Sequence, residues 1–176
     1  YGEKEVEENI MEYRAKISGL GIQPEEVTGL YLKRDAQMLF LIFALYDMGI
    51  AFLPLDIHVP KQRNDSIIRQ AEVTRVLADT ACDLDAEVVR VELLEHWTEE
   101  HITDSPVAYC IATSGTTGTP KIVQTGRRAF EFWMQDYAEF LKLKGAGSIL
   151  CMSEYMFDMF MIESSLAVSY THLTLP

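Results

Sequence analysis

The sequence predicts an α/β fold: a mostly parallel sheet with helices flanking it. Three observations carry that expectation. Short apolar runs alternate with longer segments of helical periodicity along most of the chain, a pattern that implies parallel strands joined by crossover helices. The 176 residues are enough for one domain with a sizeable core. Of these, 48% are apolar and 24% charged, the make-up of an ordinary globular chain and not of a disordered one.

The first element reads as a helix. In EKEVEENIMEYRAKISGLG, residues 3–21, Val6, Ile10, Tyr13, Ile17 and Leu20 recur at helical spacing. Acidic residues crowd its first turn and Gly19 and Gly21 sit at its end, as the macrodipole and C-capping favour. The apolar run 27–32 suits a buried strand, and 35–48 follows as a helix that is apolar almost all round. Its centre, MLFLIFALY at 38–46, falls well short of the roughly 20 apolar residues a bilayer span needs. A second strand is expected at 51–55, a helix opened by Pro60 at 61–71, and a third strand at 75–78. Residues 79–104 hold nine acidic residues against one basic, Arg90, and so carry -8 of the net charge of -12. They read as a solvated connector around a short strand at 88–91. A strand at 107–112 then runs straight into a loop, and another strand follows at 122–125. Phe130, Met134, Tyr137 and Leu141 line one face of an amphipathic helix, 148–152 reads as a strand, and Phe157-Asp158 opens a last helix.

Several chemistries drop out early. A net charge of -12 argues against a duplex nucleic-acid binder, which needs clustered Lys and Arg. Cys82, Cys110 and Cys151 form no CxxC pair, so neither a zinc site nor a secreted disulfide framework is supported, and a reduced, cytoplasmic compartment is expected. His96 and His101, five apart, would stand roughly 140° from each other around a helix, so no metal pair is expected. His58 reads as a loop residue, and Trp97 and Trp133 as packing residues. The chain opens on Tyr1 without an initiator Met or a signal peptide. Its last nine residues, VSYTHLTLP at 168–176, resemble the translation of a sequencing adapter. Residues 1–167 are therefore expected to be the native part, an incomplete N-terminal fragment, and His172 is set aside with the tail.

The chemistry concentrates in Thr113-Ser114-Gly115-Thr116-Thr117-Gly118-Thr119-Pro120-Lys121. Gly115 and Gly118 let successive N–H groups point inward as an anion-binding nest. Thr113, Ser114, Thr116, Thr117 and Thr119 add hydroxyl donors, Pro120 stiffens the exit, and Lys121 supplies a point charge for a terminal phosphate. The loop is neither a Walker A sequence nor a GxGxxG fingerprint, since a strand follows it and the spacings differ. Ligands gather at the carboxyl ends of parallel strands, which is where this loop is expected to lie.

The stretch AYCIATSGTTGTPKIV, residues 108–123, resembles the phosphate-binding signature of the adenylate-forming enzymes. LYDMGIAFLPLD at 45–56 resembles a preceding motif of amino-acid adenylation domains, and Tyr1-Gly2-Glu3 resembles the remnant of their opening Y-x-E-L, with Lys4 in place of Leu. Phe157-Asp158 resembles the F-D-x-S segment of domains that activate α-amino acids. The resemblance covers residues 1–167 and implies the N-terminal part of the large domain of such an enzyme. It implies ATP and Mg2+ as cofactors, Lys121 as a catalytic residue, Thr113 to Thr119 with Lys121 on the β- and γ-phosphates, Asp158 on the substrate ammonium group, and Met159 and Ile162 in the side-chain pocket. Two departures stand out: Ile122 replaces the Gly of P-K-G, and Phe160 the Ser of F-D-x-S.

The activity implied is conversion of an amino acid and ATP to an aminoacyl-adenylate, then transfer to the phosphopantetheine of a carrier protein, as in nonribosomal peptide synthesis. A stand-alone D-alanine–carrier protein ligase and other carboxylate or acyl-CoA ligases are the alternatives within the superfamily. A non-catalytic nucleotide-binding or scaffold module is the alternative outside it. The 176-residue chain alone is expected to be inactive, because the family's adenine- and ribose-binding motifs and distal Lys lie beyond the region it covers.

Overall fold

The computed structural model describes residues 2–114, 119–141 and 151–167. Among them the chain runs through α1 (Glu3–Ser18), β1 (Val27–Tyr31), α2 (Ala36–Asp47), β2 (Ala51–Pro54), α3 (Lys61–Gln70), β3 (Arg75–Ala78) and β4 (Glu87–Arg90). It continues through β5 (Val107–Thr113), β6 (Lys121–Gly126), α4 (Arg127–Leu141) and α5 (Asp158–Ala167). The strands form one sheet in the order β4-β3-β1-β2-β5-β6. Every neighbouring pair is parallel except β5 and β6, which run antiparallel. The α/β architecture with a mostly parallel sheet is the one the sequence predicts.

Side chains alternate across the sheet with the two-residue strand period. Leu30, Phe52, Leu77 and Tyr109 join the main core with the buried faces of α1, α2, α4 and α5. Leu53, Val76 and Cys110 point the other way, into a smaller core with Ile67 and Ile68 of α3. Helix α2 is the keystone: Met38 and all six residues from Phe40 to Leu45 are buried, because it lies between α1 and the sheet. Asp35 caps it, its carboxylate accepting the Met38 N–H at 3.0 Å. Among the described residues no helix is long and apolar enough to cross a membrane.

The turn from α2 into β2 requires glycine. Gly49 has φ +71°, and a Cβ there would fall 2.2 Å from the Thr103 carbonyl oxygen. The contact is close because residues 103–105 clasp the turn. Thr103 N–H donates to the Met48 carbonyl at 2.8 Å, and Ser105 N–H to that of Gly49 at 3.0 Å.

Two expectations need correction. The strand read at 148–152 does not extend through its described part: residues 148–150 lie outside the described residues, and Cys151 and Met152 are not in a strand. The Met152 amide is taken instead by the Glu163 carboxylate at 3.0 Å, so it has no ladder to donate to. The strand at 88–91 shifts back by one residue, with Val91 opening a short 3-10 turn. The acidic connector is largely exposed, as expected, and surface ion pairs tie it to the rest of the fold. Asp85 pairs with Arg69 at 2.8 Å, Glu87 with Arg75 at 3.0 Å, Glu100 with Arg14, and the Asp79 carboxylate accepts the Lys33 N–H at 2.7 Å. The tail at 168–176 lies outside the described residues.

Candidate functional site

Because β1, β2, β3 and β5 run parallel, their carboxyl ends open along one rim of the sheet, the edge where α/β proteins place ligands. Thr113 is the last residue of β5 and Lys121 the first of β6, and the two face each other in register. The Thr113 hydroxyl donates to the Lys121 carbonyl at 3.2 Å and closes the loop at its base. Thr113, Ser114, Thr119 and Lys121 are all exposed at this mouth, while Pro120 is buried. Gly115, Thr116, Thr117 and Gly118 lie outside the described residues.

The local charge suits an anion. Between Asp104 and Glu131 the sequence contains no acidic residue, but it contains Lys121, Arg127 and Arg128, in a chain whose net charge is -12. Arg127 is committed to the fold: its guanidinium donates to the Tyr46 carbonyl at 3.0 Å and lies 4.3 Å from the centroid of that ring. Lys121 is exposed at the mouth of the loop.

Ile122 pairs with Ala112 and packs against the α3-side core with Leu53 and Cys110. Adjacent strand residues face opposite ways, so the branched side chain departs from the face that Lys121 serves. Burial leaves Cys110 itself unreactive, its thiol pushed up to about 11.

Asp158 opens α5 and is exposed. One carboxylate oxygen accepts the Met159 N–H at 2.8 Å, so it satisfies a free amide of the first turn. Its charge also reaches Tyr109 on β5. Burial drives that phenol's pKa up, a hydrogen bond with Thr125 opposes this, and the Asp158 carboxylate adds to the rise. Tyr109 is wedged between Phe52 and the edge of Phe130. Tyr109 and Thr113 lie four residues apart on β5.

Of the pocket residues read from the sequence, Met159 is 47% exposed, and Ile162 is half-buried against the main core. Phe160 points away from both. It is 1% exposed, meets Tyr155 edge-on at 6.4 Å, and lies under the Arg34 guanidinium at 5.9 Å. The large ring therefore fills core space behind the helix. Tyr155 in turn donates its hydroxyl to the Leu55 carbonyl, and burial carries its phenol far above the usual range.

Sequence reasoning missed Tyr109, Tyr155, Arg34 and Glu163. Only Tyr109 lay inside a recognised stretch, where it read as strand filler. The other candidates hold up as structural residues. His58 N–H donates to Asp56 at 2.8 Å, and His101 Nε2 lies 2.8 Å from the Ile22 carbonyl. Trp97 covers Gly19, and Trp133 stacks on Tyr137 at 4.5 Å. Among the described residues no group of three or more His, Cys, Asp or Glu could hold a metal ion. A cavity of about 220 Å³ opens where β1 and β3 end, lined by Tyr13, Lys16, Asp35 and Asp79, and contains none of the site residues above.

Known proteins resemble this chain in sequence and in fold. The chain is 32% identical to the nonribosomal peptide synthetase sidE of Aspergillus fumigatus, over 96% of its own length. It is 29% identical to the chondramide synthase cmdD of Chondromyces crocatus, over 84% of its own length. It spans only 8% and 4% of those two relatives. A four-domain nonribosomal peptide synthetase bound to AMP and glycine shares the fold at TM-score 0.81 and 21% identity, over 95% of this chain and 13% of that one. The O-succinylbenzoate coenzyme A synthetase of Bacillus subtilis, in complex with ATP and magnesium ion, does so at TM-score 0.77 and 16% identity, over 95% of this chain and 47% of that one. The AMP-binding enzyme family model spans residues 4–171, and this chain belongs to that family.

Proposed function

We propose that residues 1–167 are the N-terminal part of an amino-acid adenylation domain. The reaction is attack of the amino-acid carboxylate on the α-phosphate of ATP, which forms the aminoacyl-adenylate and releases pyrophosphate. The adenylate then passes to the phosphopantetheine thiol of a carrier domain, as in nonribosomal peptide synthesis. The observation that supports this reading is the register pair Thr113–Lys121 at the carboxyl rim, in an acid-free stretch of an acidic chain.

In-line displacement depends on holding the reactants and neutralising charge. The hydroxyls and amides of Thr113 to Thr119 hold the β- and γ-phosphates, and Lys121 carries the positive charge. Mg2+ is a hard cation that takes oxygen ligands. The described base of the loop offers the Thr113, Ser114 and Thr119 hydroxyls and no carboxylate, which fits a metal held chiefly through the nucleotide. Bound there, Mg2+ would neutralise phosphate charge. Asp158 pairs with the substrate ammonium group, and Met159 and Ile162 border its side chain. Asp158 is what favours an amino acid over a plain carboxylic acid, which brings no ammonium to that carboxylate.

The test is ATP–pyrophosphate exchange by the full-length polypeptide that carries this segment, scanned across amino acids. Exchange with one or a few amino acids is the expected result, and none is expected from the 176-residue chain alone. Exchange only with carboxylic acids would favour an acyl-CoA ligase. Nucleotide binding without any exchange would mark a scaffold. Strict selectivity for D-alanine, with a free-standing carrier as acceptor, would mark the stand-alone ligase.

A further inference from the structure

Asp158 and Met159 stand exposed on the first turn of α5, and the first turn of a helix lacks internal acceptors and frays. The segment before it, residues 151–157, is not itself in a strand. Glu163, further along the same helix, reaches back to that segment. One of its oxygens accepts the N–H groups of Met152 and Ser153, both at 3.0 Å, and the other accepts the Ser153 hydroxyl at 3.1 Å. These bonds, led by the Ser153 amide, hold its pKa below the usual value.

A second tether comes from the loop between β1 and α2. The Arg34 guanidinium donates to the Cys151 carbonyl at 2.8 Å, lies 3.7 Å from Glu154, and covers Phe160. The segment thus has one charged clamp on the helix side and another on the sheet side. Tyr155 anchors its middle to the end of β2.

We infer that Glu163 and Arg34 are positioning residues for the amino-acid anchor, fixing the turn that presents Asp158. This inference rests on the adenylation reading for the identity of the anchored ligand. It makes a specific demand: the clamp governs capture of the amino acid and leaves ATP capture alone, since its hydrogen bonds and ion pairs, among the described residues, involve none of residues 113–114 and 119–121.

Two measurements test it, with Glu163→Gln as a near-isosteric variant that loses the charge and one acceptor. In the full-length polypeptide, amide hydrogen exchange across residues 151–159 should quicken by about 10-fold, with the amides of β1 to β3 unchanged. An unaltered segment, or acceleration of the whole sheet, would overturn the clamp. In the full-length polypeptide, KM for the amino acid should rise about 10-fold while KM for ATP stays within about 2-fold. Arg34→Gln should give the same split. Equal rises in both constants would reduce the two residues to a general structural role and overturn the inference. A wild-type polypeptide that shows no exchange with any amino acid would sink the adenylation reading and the positioning role with it, while amide exchange would still decide whether the clamp exists.

Discussion

Strands β1 to β3, with the helices between them, hide most of what they contain, while the hairpin and the two helices after it display theirs. Phe52, Leu53 and Leu77 are each 0% exposed. Beyond residue 107, Phe132 is 72% exposed and Phe140 78%, and Thr113, Ser114, Lys121 and Asp158 also lie open. The contrast divides the labour. The first region gains its stability from apolar burial and forms a platform with little chemistry of its own. The second places its polar groups at the rim of that platform, and depends on it for their placement.

The comparison can be broken at either end. The largest expected effect falls on the platform: Phe52→Ala should cost about 3–5 kcal/mol in urea-induced unfolding. A loss below about 1 kcal/mol would mean that this region does not carry the fold. Next, Lys121→Ala should cut amino-acid-dependent exchange by the full-length polypeptide about 100- to 1,000-fold and move its melting temperature by no more than about 2 °C. Falling stability with an intact rate would reverse the two roles. Asp158→Asn should raise KM for the amino acid by about 30-fold or more, as removal of one partner of a charge pair does, with KM for ATP unchanged. The smallest effect is local: Asp35→Ala, which removes the cap of α2, should cost about 1 kcal/mol, read from the denaturant midpoint with no change in slope.

Strand positions in the platform were legible because each strand is a short apolar run between helical stretches, as Val27, Ala51 and Val76 illustrate. Their order in the sheet was not, since nothing local to β1 says that β2 and β3 take opposite sides of it. The run SILCM misled for a related reason. Its apolar residues look like a strand, but the Met152 amide answers to Glu163, a partner that no periodicity reveals. Charge counting showed the connector as a solvated stretch but not its partners, because it does not locate Arg14, Arg69 and Arg75, which come from α1, α3 and β3. In the candidate site, the position of the loop after β5 was legible from the apolar strand that leads into its glycines, hydroxyls and lysine. The packing of Tyr109 was not, because its partners Phe52 and Phe130 lie far from it in sequence and are brought close only by the fold.

The strand order also sets a timetable for synthesis. Phe52 of β2 pairs with Tyr109 of β5, 57 positions later in the chain, whereas β1 and β3, which lie to its other side in the sheet, are both made by residue 78. At about 5–20 residues per second on the ribosome, one edge of β2 stays open for roughly 3–11 s before its partner exists. That edge is the apolar AFLP, a segment other nascent chains could pair with. Its last residue, Pro54, has no N–H to offer an intruding strand. The brevity of β2 and this proline shorten the ladder that a wrong partner could build before β5 arrives.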